Sequence, residues 1–312
     1  MRLVFLGTPQ FAVPTLERLV ETGHEVGAVL TQPDRPRGRG QQAAFSPVKQ
    51  AALRLGLPVY QPERVKQPDT LAFLRSVNAV AMVVVGYGQI IPQSIIDLAP
   101  LGIINVHASL LPKYRGAAPI QWAIANGEAV TGVTTMRIDA GLDTGDILLS
   151  TPIEIPPDET ALEISERLAR LGAALLVQTL VALDAGSIVP RPQDHSSATY
   201  APVLTKEDGR IDWSRSAAEI HNRVRGFQPW PGAYTSFRGQ KLLIARTRRV
   251  ENIPGGPGRL HAAKNRLLVS CGNGTGLEVL ELQLEGRKRN SAMAFVNGQR
   301  LAENEILGEV TS

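Results

Sequence analysis

The sequence predicts an α/β protein: a Rossmann-like, doubly wound and mostly parallel sheet, followed by a second, smaller C-terminal β-barrel domain. Three observations carry that reading. Through about the first 200 residues, short apolar runs alternate with stretches of helical periodicity, as in successive β-α-β units. Residues 79–85 form a continuous apolar run, as a central parallel strand buried on both faces requires. Beyond residue 205 the pattern changes to short alternating strands separated by glycine turns, which suits a small barrel.

In chain order, residues 2–6 are an apolar strand that stops at Gly7-Thr8-Pro9, and a helix follows at 13–21 with Leu16, Leu19 and Val20 on one side. Residues 26–30 read as the next strand. Ser46 caps and Pro47 opens a helix to about residue 55, because proline's fixed φ and missing N–H suit a first helical position. After 79–85, strands are predicted at 103–107, 132–138 and 147–155, and a long helix at 160–184 closes a first domain expected over 1–187. Residues 188–202 lose all periodicity, so 188–205 reads as a linker. The C-terminal domain, 206–312, holds a short helix at 217–224, a turn-rich stretch at 227–232, and strands at 233–237, 241–246, 267–271 and 277–284.

Composition narrows the function. The first strand–helix turn, Gly7-Thr8-Pro9-Gln10-Phe11, lacks the three-glycine spacing that seats a pyrophosphate, which argues against a nicotinamide oxidoreductase. There is one cysteine, Cys271, so no disulfide framework is possible, and its neighbours offer no base to activate it. The five histidines, at 24, 107, 195, 221 and 261, show no paired ligand spacing, and no metal site is expected. The amino-terminal apolar run is too short for a signal peptide and 79–85 is far below membrane-spanning length, so a cytoplasmic protein with no membrane partner is expected. The net charge of +4 is unevenly placed: residues 1–205 hold 16 Lys+Arg against 18 Asp+Glu, and residues 206–312 hold 17 against 11. A basic C-terminal third suggests a polyanionic partner.

The chemistry concentrates in Ile103-Ile104-Asn105-Val106-His107-Ala108-Ser109-Leu110-Leu111-Pro112-Lys113-Tyr114-Arg115-Gly116 and in Gly141-Leu142-Asp143-Thr144-Gly145-Asp146. On a strand, Asn105 and His107 project from one face, at the edge of an open α/β sheet where ligands bind. A hydrogen-bond donor then sits beside a titratable imidazole, and a carboxylate such as Asp143 can orient and charge that imidazole. A lone histidine at a strand end can equally be a satisfied structural residue; the combination of both segments favours catalysis.

Asn-x-His-x-Ser-Leu-Leu-Pro, Arg-Gly-Ala-Ala-Pro-Ile-Gln and Gly-Leu-Asp-Thr-Gly-Asp together resemble the folate-dependent formyltransferases, over nearly the whole chain. The resemblance implies a catalytic Asn105, His107 and Asp143, a folate-contacting turn at Ser109, Leu110, Leu111 and Pro112, and an oligonucleotide-binding-like (OB-like) barrel at the C-terminus. It implies 10-formyltetrahydrofolate as formyl donor, without a metal, and a monomer. Residues 31–42 interleave Arg35, Arg37 and Arg39 with proline and glycine, a poor core element and a good arm for phosphates. This loop resembles the one with which the initiator methionyl-tRNA branch of the family engages its acceptor, with Arg39 at the tRNA-contacting position. The expected reaction is therefore formylation of methionyl-tRNA. The alternatives are a formyltransferase acting on a nucleotide-sugar or purine-pathway amine, and a non-catalytic RNA-binding protein on the same scaffold.

Overall fold

A computed structural model describes residues 1–37, 42–251, 253–263, 265–302 and 305–308. The chain divides into two compact units. The first comprises Met1–Pro119, Val130–Ile153 and Ser165–Ala201; the second comprises Ile120–Ala129, Glu154–Ile164 and Pro202–Ser312.

The first unit is built on a seven-stranded sheet: β1 (Arg2–Gly7), β2 (Glu25–Leu30), β3 (Val59–Tyr60), β4 (Ala81–Val85), β5 (Ile103–His107), β6 (Val130–Arg137) and β7 (Ile147–Glu154), in the order β7-β6-β5-β4-β1-β2-β3. From β5 through β3 all neighbours are parallel, and β5 meets β6 antiparallel. The doubly wound, mostly parallel sheet expected from the alternation is thus present. All five residues of β4 are buried, which is why it reads as an unbroken apolar run.

Helices α1 (Val13–Glu21), α2 (Pro47–Arg54), α3 (Pro68–Val77) and α4 (Gln93–Ile96) connect strands of this sheet; α5 (Pro119–Ala125), which from Ile120 belongs to the second unit, precedes β6, and α6 (Ala161–Asp184) follows β7. The Ser46 hydroxyl accepts from the Lys49 N–H at 3.0 Å, the cap predicted for α2. Helix α3 escapes pattern reading because one of its three buried positions is a threonine, Thr70, beside Leu74 and Val77. Along α6, a side chain at Gly172 would sit 2.8 Å from Val106 Cγ1, so the glycine lets the helix lie close against β5, the strand that carries Asn105 and His107.

Residues 188–205, expected as a linker, contribute through Ala201 to the first unit. Arg191 and Ile147 exchange two backbone hydrogen bonds, of 2.8 and 2.9 Å. Tyr200–Ala201 pairs in parallel with Arg115–Gly116. These contacts are non-local, so periodicity gives no warning of them.

In the second unit, β8 (Ala233–Phe237), β9 (Gln240–Val250), β10 (Leu260–Ala263), β11 (Arg266–Ser270) and β12 (Gly276–Leu284) form an antiparallel sheet in the order β8-β9-β12-β11-β10. The short segment Asn290–Ser291 adds to β12. Helix α7 (Ala217–Gly226) starts with a complete capping box between Ser216 and Glu219. Its Ile220 and Val224 join Trp213, Phe237, Leu242, Val269, Leu277 and Phe295 in the core. Strand β9 runs four residues past its predicted end at 246, because its register shifts around Arg246. Such an irregularity inverts the in/out alternation, and the pattern is lost there. Helix α8 (Ala292–Gln299) is unforeseen for a different reason: residues 292–296 are all apolar, so no polar face marks a period. Among the described residues no helix is long and apolar enough to cross a membrane.

Candidate active site

Strand β5 delivers Asn105 and His107 to its carboxyl end, with Asn105 opposite Val84 of β4 and His107 opposite Thr134 of β6. The turn that follows is tied to the sheet by Thr134, fully buried, whose hydroxyl donates to the Ser109 carbonyl at 2.7 Å and accepts from the Leu111 N–H at 3.2 Å. The Ser109 hydroxyl donates to the Lys113 carbonyl at 2.6 Å. This bracing brings the Tyr114 carbonyl to 2.9 Å from Nε2 of His107. A carbonyl oxygen only accepts, so Nε2 carries a proton. The other ring nitrogen, Nδ1, faces Oδ2 of Asp143 at 3.6 Å.

Asp143 comes from the loop between β6 and β7, in a left-handed conformation with φ of 50°. Aspartate is among the few non-glycine residues that adopt this region. The loop closes tightly around it: a Cβ at Gly145 would lie 2.0 Å from the Arg137 carbonyl oxygen. Asp139 braces the other side, accepting from the Gly141 N–H at 3.0 Å and from the Thr144 hydroxyl at 2.7 Å. The Asp143 carboxylate accepts from the Gly116 N–H at 2.9 Å and, more weakly, from Nδ2 of Asn105 at 3.4 Å. Gly116 adopts φ of 120°, and a side chain there would meet the Ala201 carbonyl at 2.7 Å. Glycine is needed at that position for the backbone to aim its N–H at Asp143.

The three residues predicted to act together are therefore assembled at one sheet edge. His107 is 6% exposed and the Asp143 side chain 17%, so the pair is shielded yet reachable. A neutral His107 offers Asp143 only a lone pair; protonated at Nδ1, it becomes an ion-pair partner. Asn105 spends one Nδ2 hydrogen on Asp143 and keeps a second for another acceptor. In the turn, Ser109 and Leu111 are buried and serve its architecture, while Leu110 and Pro112 are half-exposed. Arg39 lies outside the described residues.

Two residues of this neighbourhood were not anticipated. Arg115, 2% exposed, donates through Nε and Nη2 to the side-chain oxygen of Gln193, and Gln193 in turn reaches the backbone of the Asp143 loop. The Arg-Gly motif marks Arg115, but no sequence signal in the aperiodic 188–202 stretch singles out Gln193.

The second unit contains a groove of mixed charge. It has a volume of about 450 Å³ and is lined by Arg225, Arg246, Arg248 and Arg289, together with Asp158, Glu163 and Glu281. Arg246, Arg248 and Arg289 are exposed. Arg225 is buried and donates to the carbonyls of Pro156 and Glu159 at 3.2 and 3.0 Å. Beside it, burial holds the His221 pKa below its ordinary value. Neutral His221 donates from Nε2 to the Pro157 carbonyl at 3.1 Å, which leaves Nδ1 to accept from the Thr247 hydroxyl at 2.9 Å.

Comparison with known proteins gives the family. Residues 1–180 match the formyl transferase family and residues 203–300 match the formyl transferase C-terminal domain. The methionyl-tRNA formyltransferase of Solibacter usitatus is 67% identical over 309 residues, covering 99% of both chains. That of Koribacter versatilis is 58% identical over 313 residues, covering 100% of both. Among solved structures, an N-formyltransferase from Helicobacter canadensis, in complex with folinic acid and dTDP-3-aminofucose, shares the fold with a TM-score of 0.66 at 20% identity, covering 89% of this chain and 98% of that one. The chain belongs to the methionyl-tRNA formyltransferase family of formyl transferases.

Proposed function

We propose that this enzyme transfers the formyl group of 10-formyltetrahydrofolate to the free amino group of initiator methionyl-tRNA, with Asn105, His107 and Asp143 as its catalytic residues. The observation that carries the reading is the convergence of these three side chains, with His107 held so that Nδ1 is its working nitrogen. The methionyl nitrogen attacks the formyl carbon, the carbonyl oxygen takes up negative charge, and the bond from that carbon to the folate nitrogen breaks. The amine loses a proton and the leaving folate nitrogen gains one. Asn105 donates its free Nδ2 hydrogen to the oxyanion, the kind of contact that contributes most in acyl transfer. His107, protonated on Nδ1, donates to the same oxygen or moves the proton between nitrogens. Asp143 stabilises the imidazolium and orients it. No step needs a metal.

The turn after β5 is read as the folate contact, with Leu110 and Pro112 touching the donor and Ser109 and Leu111 holding the turn's shape. The first unit, which runs through Ala201 rather than ending at 187, acts as the catalytic domain, and the C-terminal domain over 206–312, with its excess of Lys and Arg, docks the tRNA. The Arg246, Arg248 and Arg289 side chains suit the phosphate backbone, and Arg39 is assigned to the acceptor arm. The enzyme works as a cytoplasmic monomer. An acceptor panel tests the reading: with 10-formyltetrahydrofolate as donor, methionyl-tRNA is formylated, while uncharged tRNA, amino-sugar nucleotides and small ribonucleotide amines are not. Preferential formylation of a small amine would reject the assignment of the acceptor.

A further inference from the structure

The Gln193 carboxamide is oriented without ambiguity. Its oxygen accepts from Nε of Arg115 at 3.1 Å and from Nη2 at 2.6 Å, and a guanidinium can only donate. Its nitrogen donates to the carbonyl of Asp143 at 2.9 Å and to that of Gly145 at 2.7 Å, and carbonyls can only accept. Both hydrogens and both lone pairs are thus used, in a side chain only 5% exposed. Arg115 is itself fixed at the far end, where Nη1 donates to Nδ1 of His195 at 3.3 Å.

The two carbonyls that Gln193 grips flank Thr144 at the tightest point of the loop, directly after the left-handed backbone of Asp143. The residue following Arg115 is Gly116, whose N–H holds the Asp143 carboxylate. Asp143 is consequently gripped twice from one assembly: its side chain by the backbone next to Arg115, and its backbone by the amide that Arg115 anchors. We propose that Gln193, fixed by Arg115, is a positioning residue for the formyl transfer, holding Asp143 in the left-handed geometry that faces its carboxylate to His107. This rests on the catalytic reading of Asp143 given above. A displacement of the order of 1 Å at a reacting group costs roughly a hundredfold in rate, so a hydrogen-bond clamp on this loop has kinetic consequences.

Gln193→Glu is the informative substitution. It preserves shape and gives Arg115 a charged acceptor, but it replaces the amide donor with an oxygen facing two carbonyl oxygens. Gln193→Met is the companion variant, which removes the donor without adding charge. Each is measured alone and combined with Asp143→Asn, reading kcat, the KM for both substrates, and thermal unfolding. Gln193→Glu is expected to lower kcat roughly ten- to a hundredfold with both KM values within about threefold, and to cost less than about threefold once Asp143 is already asparagine. Equal fold-losses in the two backgrounds would assign Gln193 a general structural role and overturn the proposal. So would an unimpaired Gln193→Glu and Gln193→Met beside a defective Asp143→Asn. Wild-type turnover in Asp143→Asn itself would reject the catalytic reading of Asp143, and the proposal with it.

Discussion

Asp143→Asn removes one negative charge from the candidate site while keeping the shape of the side chain. Asparagine tolerates the left-handed φ of 50° that Asp143 adopts, and its oxygen can still accept from the Gly116 N–H, so the loop should keep its fold. The lost terms are the weak contact from Nδ2 of Asn105 and, chiefly, the attraction between the carboxylate and a His107 protonated on Nδ1, 3.6 Å away. At an effective dielectric constant of 20 that attraction is about 4–5 kcal/mol. The Asp143 side chain is 17% exposed, so solvent reduces the figure, to about 3–4 kcal/mol. At 1.36 kcal/mol per tenfold, the expected loss in kcat is roughly a hundred- to a thousandfold. Stability should change by only about 1 kcal/mol, because a charged acceptor is replaced by a neutral one. Steady-state formylation of methionyl-tRNA, with circular dichroism melting as the control for folding, measures both quantities. Turnover within threefold of wild type in a folded variant would refute the electrostatic role of Asp143.

Asn105→Ala should lower kcat by roughly a hundred- to a thousandfold with little change in folate KM, since it deletes one oxyanion donor; near-normal turnover would remove Asn105 from the catalytic assignment. The lowered pKa of buried His221 makes the folded state bind protons less readily than the unfolded chain. Its share of stability is complete above about pH 6.5 and is lost as pH falls below that toward the folded value. His24 acts with the same sign. His221→Gln should therefore show a smaller drop in melting temperature than wild type between about pH 7.5 and pH 5.5, and an identical drop would show that His221 is not the group responsible. Tyr87 is 1% exposed and its hydroxyl has no partner among the described residues, so Tyr87→Phe should leave the melting temperature unchanged or raise it; a clear drop would reveal a partner for the hydroxyl. Burial pushes the Cys271 thiol up to about 12, so thiol reagents at neutral pH should label it only after unfolding.

The parts of this molecule that could be read from its sequence are those whose signal is local. β4 is legible because burial on both faces leaves an unbroken apolar run, and α2 because Ser46 and Pro47 mark its start. Asn105 and His107 are legible because a strand's period of two puts them on one face. Asp143 is legible as a candidate carboxylate, but only the resemblance of its motif ties it to His107, since nothing local says that its loop folds back beside β5. Arg115–Gln193 is illegible for a sharper reason. The two residues are 78 positions apart, and their pairing depends on how residues 188–201 fold back onto the first unit. Strand β9 marks another limit, because the irregularity at Arg246 reverses the alternation on which strand reading depends.

The most direct measurement is single-turnover transfer of an isotope-labelled formyl group from 10-formyltetrahydrofolate to methionyl-tRNA, followed by mass spectrometry, for the wild-type enzyme and for His107→Ala. The wild type is predicted to place the label on the methionyl nitrogen, and the variant to do so at least about a hundredfold more slowly while still binding the folate donor. Absence of labelled formylmethionine with the wild type, or equal rates for the two proteins, would contradict the account.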